Sequence, residues 1–100
     1  MTKIEITRLC AEAMGYVAAP NRLFLQPPTQ HPESAVRVSP GAKADFWYDP
    51  RNNDAHAFGL LTVYPTTCKP AFEMYESCGG DLRALICHAV ATHQLRSKQL

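Results

Sequence analysis

The chain has 100 residues, of which 46% are hydrophobic, and its 10 basic and 9 acidic residues leave a net charge of +1. This length accommodates one ordinary domain with its own core, but not two. Because the charges nearly cancel, the composition argues against a protein that collects nucleic acid, membrane surfaces or acidic ligands by charge alone. No apolar run approaches the roughly 20 residues of a membrane span, and the first residues lack the apolar core of a signal peptide. The sequence therefore predicts a cytoplasmic protein.

The opening segment predicts an amphipathic helix. Its apolar residues recur at the spacing of one buried stripe, and they are Ile6, Leu9, Cys10, Ala13 and Met14. Thr2 is the expected N-cap, and Gly15 is the expected end. Between residues 16 and 43 five prolines exclude long helices, so that only short extended pieces are expected, at residues 23–25 and 35–38.

The middle of the chain predicts a strand, a helix and a second strand. Aromatic residues favour a strand at residues 46–48, in which Trp47 is expected to pack against Phe58 or Leu61. The polar run at residues 52–54 is typical of a helix start, and Pro65 is expected to end that helix. Between residues 70 and 78, Phe72 and Met74 alternate with polar neighbours, which predicts another strand.

The last helix is the clearest element of the sequence. A Gly-Gly turn precedes Asp81, the expected N-cap, and a main apolar stripe follows. A second stripe of small and apolar residues predicts a helix packed on two sides, and it comprises Ala84, Cys87, Ala91 and Leu95. Either the first helix of the same chain or a second copy of the protein could cover it. We favour the first, and therefore a monomer over a homodimer.

These elements predict an α+β domain over residues 1–95, with a polar tail at residues 96–100. Three helices are expected to pack with a small, mostly antiparallel sheet of three to four short strands. Three stretches of this chain resemble the phage ABA-sandwich domain, a family of small phage and prophage proteins. They are Met14-Gly15-Tyr16, Tyr48-Asp49-Pro50 with Asn53-Asp54-Ala55-His56-Ala57 after it, and Ala84-Leu85-Ile86-Cys87-His88-Ala89. The resemblance implies a layered α/β sandwich, phage or prophage origin and hence the cytoplasm of a host cell, and no established catalytic residue.

The four cysteines are expected to be reduced thiols rather than a metal or disulfide site. Cys10, Cys68, Cys78 and Cys87 stand beside apolar or small residues, which is typical of buried free cysteine. Nothing in the sequence signals secretion. The chain has neither a Cys-x-x-Cys pair nor a His-x-x-x-His pair. The sequence therefore predicts no metal site and no cofactor.

Other reactive side chains are also expected to be structural. Cys78 precedes an acidic helix cap, whose charge opposes activation of a thiol. The ligand types of a hydrolytic metal site occur in Asp45, Asp49, Asp54 and His56, but turn and capping roles account for them more simply. We therefore predict no catalytic residue and no enzyme activity, with a metal-dependent enzyme as the least favoured alternative.

Two surface sites remain as candidates. Arg51, Asn52 and Asn53 stand at a helix N-terminus, where backbone amides and the helix dipole favour an anion. The aromatic run could instead stack on single-stranded nucleic acid between basic flanks, and this alternative site comprises Lys43, Phe46, Trp47, Tyr48 and Arg51. We favour a non-catalytic phage accessory protein that binds a protein partner, with a host factor as one option and a small nucleic-acid-binding protein as the alternative.

Overall fold

The structure is a computed structural model, and it describes residues 1–18, 33–39 and 46–99. The element order is α1 (Lys3–Ala13), β1 (Val17–Ala18), β2 (Val36–Ser39), β3 (Phe46–Tyr48), α2 (Asp54–Val63), α3 (Pro65–Cys78) and α4 (Leu82–Gln99). The α+β class is as predicted, but the described ranges hold four helices instead of three. None of these helices combines the length and apolar character needed to cross a membrane.

The first helix begins and ends as its sequence predicts. The Thr2 hydroxyl accepts the Glu5 N–H at 3.1 Å, which satisfies one of the unpaired donors of the first turn. Gly15 follows the helix with a φ of 80°, a backbone conformation that glycine adopts without steric cost. Ile6, Leu9 and Cys10 are buried, which confirms the predicted stripe.

The sheet is antiparallel throughout its described part, with the strand order β1-β2-β3. Two predicted strands are confirmed at β2 and β3, whereas the one expected at residues 23–25 lies outside the described residues. Arg37 pairs with Trp47, and Val38 pairs with Phe46. Because side chains alternate across a sheet, Trp47 lies on the face opposite to Phe46 and Tyr48.

This alternation overturns the packing expected of Trp47. The indole is only half-buried, and the Arg37 guanidinium carbon lies 5.8 Å from its ring centroid. Of the two predicted neighbours, Phe58 is 68% exposed, and Leu61 packs against the core cluster that contains Tyr48. The ring that enters the core is Tyr48, which is 1% exposed and belongs to the same buried cluster as Leu60. The aromatic strand therefore contributes its first and third residues to the core.

The predicted strand around Phe72 and Met74 is wrong, because these residues belong to α3. Pro65 ends α2 and occupies the first turn of α3, where a missing N–H costs nothing. Cys68 and Ala71 are buried three residues apart, a helical spacing that overrides the brief alternation. Pro70 lies inside the helix and lacks the N–H that would bond to the carbonyl four residues earlier.

The last helix lies at the centre of the molecule. It packs against α1, α2 and α3, and its buried residues are Ile86, Cys87, Val90 and Ala91. The Asp81 carboxylate accepts the Ala84 N–H at 3.3 Å, which confirms the predicted cap. The helix continues to Gln99, so that most of the predicted polar tail is helical, with Arg96, Ser97 and Lys98 exposed.

Candidate functional site

A groove with a mostly apolar lining lies between α3 and α4. These helices form an antiparallel hairpin, because only Gly79, Gly80 and Asp81 separate them. Both glycines have positive φ, of 73° and 104°, which turns the chain back sharply. The groove has a volume of about 380 Å³, within the range of small-ligand and peptide-anchor pockets. We refer to it as the α3–α4 groove.

One wall of the groove comes from α3. Three of its residues recur every fourth position and share one face, and they are Thr66, Pro70 and Met74. Thr67 and Ala71 complete this wall. Met74 is 54% exposed, so its thioether stands at the rim, whereas Ala71 is buried and forms part of the floor. This wall is thus apolar toward Met74 and carries two hydroxyls toward the start of α3.

The other wall comes from α4, again at helical spacing. Its lining residues are Leu85, His88, Ala89, Thr92, His93 and Arg96. Since the helices are antiparallel, Leu85 lies toward the Met74 end and Arg96 toward the Thr66 end. The His93 ring is also in contact with Tyr64, at 5.9 Å between ring centroids. The groove therefore has one apolar end and one polar, basic end.

The charge of the lining is of one sign. Arg96 is cationic and has His93 beside it, while His88 lies nearer the Met74 end; among the described residues no aspartate or glutamate lines this groove. The acidic residues Glu73 and Glu76 of α3 line a separate depression on another face of that helix. An anionic group at the Arg96 end would thus meet no nearby carboxylate of the lining.

A second cluster of polar groups lies where β3 turns into α2. The Ser34 hydroxyl donates to both carboxylate oxygens of Asp49, at 3.2 Å each. The Asn52 amide donates to the Asp49 carboxylate at 2.9 Å and to the Ser34 oxygen at 3.0 Å. Ser34 is fully buried and Asp49 is 7% exposed. We refer to these three residues with His56 as the corner cluster.

His56 joins this cluster through the backbone. Its Nδ1 accepts the Asp49 N–H at 3.0 Å, which places the proton of the neutral ring on Nε2. Its ring stacks on Tyr48 at 5.0 Å between centroids. Burial lowers the pKa of His56, although the nearby Asp49 carboxylate acts in the opposite direction. The geometry is not that of a catalytic triad, because Ser34 bonds to the carboxylate rather than to the imidazole.

Two of the three side chains of the predicted anion site already bond within the protein. Asn53 caps α2, since its Oδ1 accepts the His56 N–H at 3.2 Å. The Asn52 side chain donates its hydrogen bonds to Ser34 and Asp49 in the corner cluster, and Arg51 is half-buried. Asp54 stands in the first turn of the helix and pairs with Arg83 at 3.2 Å. The structure thus brings Arg51, Asn52 and Asn53 together, but two of the three already bond within the protein.

The predicted stacking platform is divided between two faces of the sheet. Tyr48 is buried, and Phe46 makes edge-to-face contacts with Tyr16 at 5.6 Å. Trp47 lies on the other face beside Arg37. Lys43 and the carboxylate of Asp45 lie outside the described residues. The three aromatic rings therefore do not form one surface on which successive bases could stack.

Three of the four thiols meet inside the helical layer. Cys10, Cys68 and Cys87 are buried, and the Cys10 thiol donates to the Cys87 carbonyl at 3.3 Å. The hydrogen bond, burial and neighbouring Cys87 thiol raise the pKa of Cys10, and burial raises the pKa of Cys68. Cys78 is exposed. No group of metal-ligating side chains occurs within the described ranges.

The predicted second stripe of α4 is largely covered by its own chain. Cys87 and Ala91 are buried, Ala84 is half-buried and Leu95 is 37% exposed. The Cys10 to Cys87 hydrogen bond and a Lys98 to Glu12 ion pair of 3.1 Å both join α1 to α4. The first helix thus lies against α4, the neighbour that the favoured alternative named.

Comparison of the chain with protein-family models, with curated proteins and with solved structures found no match. The resemblance to the phage ABA-sandwich domain therefore stays a prediction from the sequence. The α3–α4 groove was not predicted from the sequence, because the alternation at Phe72 and Met74 indicated a strand in place of part of α3. The four-residue spacing of Thr66, Pro70 and Met74 was the signal that could have indicated one wall.

Proposed function

We propose that this chain is a non-catalytic accessory protein of a phage or prophage that acts in the host cytoplasm by binding a protein partner. The phage origin rests on the resemblance of the three sequence stretches described above. A host protein is the partner that suits such an origin, because a small accessory protein encoded by a phage acts on the cell it enters. The binding role rests on a surface of the molecule.

The observation that carries the binding role is the α3–α4 groove. Its floor is made of Ala71 and Ala89, and its rim carries the exposed thioether of Met74. Apolar surface left open to water between two helices is a typical docking site for another protein. The small floor residues also let a partner backbone come close.

The corner cluster supports the non-catalytic part of the proposal. The Ser34 hydroxyl bonds to the Asp49 carboxylate, yet it is fully buried. Asp49 accepts hydrogen bonds from Ser34 and Asn52, and His56 accepts one from the backbone. These bonds join the end of β3 to the start of α2, which is a structural role.

Affinity capture with matched variants tests the binding role. Ala89→Arg places a long charged side chain in the floor of the groove, whereas Ala55→Arg makes the same change at an exposed position of α2. We expect the tagged wild-type chain and Ala55→Arg to retain the same protein from a bacterial lysate. Ala89→Arg should lose it while keeping the circular dichroism spectrum and melting temperature of a folded protein.

A second variant keeps the experiment interpretable if Ala89→Arg fails to fold. Met74→Ser removes the apolar rim at an exposed position, and Val63→Ser is its control at an exposed position of α2. Retention of the same protein by Ala89→Arg and Met74→Ser at wild-type levels would show that the groove does not bind it. Capture of no protein by the folded wild-type chain would count against the binding role itself.

A further inference from the structure

We infer that the α3–α4 groove receives an acidic amphipathic α-helix of the partner, with a carboxylate at the Arg96 end and aliphatic side chains at the Met74 end. This inference rests on the proposed binding role and adds the chemistry and the direction of the bound segment. Three observations lead to it: the nature of the walls, the size of the floor residues and the sign of the charge.

The walls favour a helix over an extended peptide. Both are α-helices, whose backbone groups bond along their own axes, so the groove presents no open strand edge. An extended segment would leave its own N–H and C=O groups without partners on the apolar floor. A helix satisfies these groups internally and presents only side chains, which is how amphipathic helices fill hydrophobic grooves.

The dimensions of the groove set the length of the segment. Thr66 and Met74 lie eight residues apart along α3, which corresponds to about 12 Å at the rise of an α-helix. A docked helix would thus place about two turns in the groove. Ala71 and Ala89 allow close approach, so aliphatic residues at positions i, i+3 or i+4, and i+7 would pack between the walls.

The positive charge of Arg96 indicates that the partner helix is acidic and sets the direction in which it binds. Arg96 stands at one end of the groove with His93 beside it, and none of the described lining residues carries a carboxylate. An aspartate or glutamate of the partner can accept two parallel hydrogen bonds from the guanidinium, which favours a carboxylate over a neutral group. A lysine or arginine at that position would face a like charge.

A display library tests this inference directly. One surface helix of a small folded carrier domain is randomised over about three turns, since an isolated helix of this length does not form in water. Selection on the wild-type chain uses Ala89→Arg in excess as competitor. We expect the retained helices to carry an acidic residue at one fixed end and aliphatic residues at i, i+3 or i+4, and i+7.

Charge reversal then assigns the carboxylate contact. Arg96→Glu should weaken a selected helix at least tenfold, and the affinity should fall as NaCl is raised from about 50 to 500 mM, because salt screens exposed charges. Arg8→Glu makes the same change at an exposed position of α1 and should alter the affinity less than twofold. Both variants are compared with the wild type by circular dichroism.

Selection of no helix, selection of helices without acidic residues, or equal binding to Arg96→Glu would each overturn the inference. So would a wild-type dimer in light scattering that becomes monomeric in Ala89→Arg, because the occupant would then be a second copy. The proposed binding role has a separate readout. Lysate capture that depends on the groove, together with a failed selection, retains that role and rejects the acidic helix.

Discussion

His56 links the sheet to α2 through an imidazole that must stay unprotonated at Nδ1. The Asp49 N–H donates to that nitrogen, and protonation would replace an acceptor by a second donor. Burial lowers the pKa of His56 below its ordinary value of 6.5. In the unfolded chain the imidazole regains that ordinary value, so below about pH 6.5 the unfolded state binds the proton first.

The first prediction follows from this difference. The free energy of unfolding should be independent of His56 above about pH 6.5 and should fall as the pH decreases below it. His56→Asn keeps an acceptor near the Asp49 N–H but does not titrate, so it should reduce the slope between about pH 7 and 5. His88→Asn, at an exposed position, serves as control. Urea denaturation at several pH values provides the measurement, and an unchanged slope in His56→Asn would contradict the prediction.

Tyr48 gives a second prediction, because its hydroxyl is buried and has no hydrogen-bond partner among the described residues. Burial raises the pKa of this phenol, and the Cys10 and Cys87 thiols add to the effect. Removing an unpaired buried hydroxyl relieves a desolvation cost, so Tyr48→Phe should leave stability unchanged or raise it by about 1 kcal/mol.

Tyr64→Phe is the matched control for this substitution. The Tyr64 hydroxyl donates to the Ala13 carbonyl and joins the end of α2 to the end of α1. Its removal should cost about 1 kcal/mol of unfolding free energy. Chemical denaturation of both variants gives the comparison. A loss above about 1 kcal/mol in Tyr48→Phe would mean that its hydroxyl bonds to a group of the chain after all.

At the scale of elements, local signals predicted most of the secondary structure and failed at α3. The Thr2 and Asp81 caps, the apolar stripe of α1 and the aromatic run of β3 are short-range patterns, and each lies where it was expected. The alternation at Phe72 and Met74 spans too few residues to separate a strand from a helix. Burial of Cys68 in the core beside α4 favours the helix over the strand, and a pattern of neighbouring residues in the sequence does not reveal that contact.

The pairing of elements was predicted only where two apolar helix faces both needed burial. Either α1 or a second copy could cover the second stripe of α4, and α1 was favoured because it had an apolar face of its own to bury; α1 and α4 are in contact in the structure. The face on which Trp47 lies depends on the register of β2 with β3, which the sequence does not encode locally. The corner cluster likewise joins Ser34 to Asp49 across 15 residues of chain.

Ala91 carries the third prediction, because it is fully buried on the face of α4 that meets the other helices. Ala91→Asp would bury an unpaired charge and should lower the free energy of unfolding by about 2 to 4 kcal/mol. Ala55→Asp, in the exposed first turn of α2, should change it by less than about 0.5 kcal/mol. Thermal melting together with light scattering makes the measurement.

The mass of the Ala91→Asp variant in solution distinguishes the two alternatives for what packs on this face of α4: α1 of the same chain or a second copy of the protein. A lower melting temperature with the monomer mass of the parent supports packing against α1 within the chain. A parent dimer that becomes a stable monomer supports self-association through this face instead. If the variant matches the parent in both measurements, the burial of Ala91 is contradicted.

At the scale of the whole molecule, basic and acidic side chains are distributed unevenly over the surface, although their numbers nearly balance. The α3–α4 groove has a basic end at Arg96, whereas a neighbouring face of α3 carries Glu73 and Glu76 together with Lys69. With a net charge of +1, the molecule has no strong long-range field, so any partner is recognised at short range through shape and local charge. This arrangement suits a protein partner better than a polyanion.

The last prediction applies this argument to the alternative function, a small protein that binds single-stranded nucleic acid. Such binding combines stacked bases with phosphate contacts, and the second of these makes the affinity fall steeply with salt. Tyr48 is buried and Trp47 faces away from Phe46, so at most one ring of the aromatic run is available to one strand. We therefore expect no saturable binding of a fluorescent single-stranded oligonucleotide at about 50 mM salt, where phosphate contacts are strongest. Two results together would instead establish the alternative: binding at about 50 mM salt that weakens at about 200 mM, and loss of that binding in Trp47→Ala. Phe58→Ala is the control and should keep the binding, because Phe58 is an exposed ring outside the aromatic run.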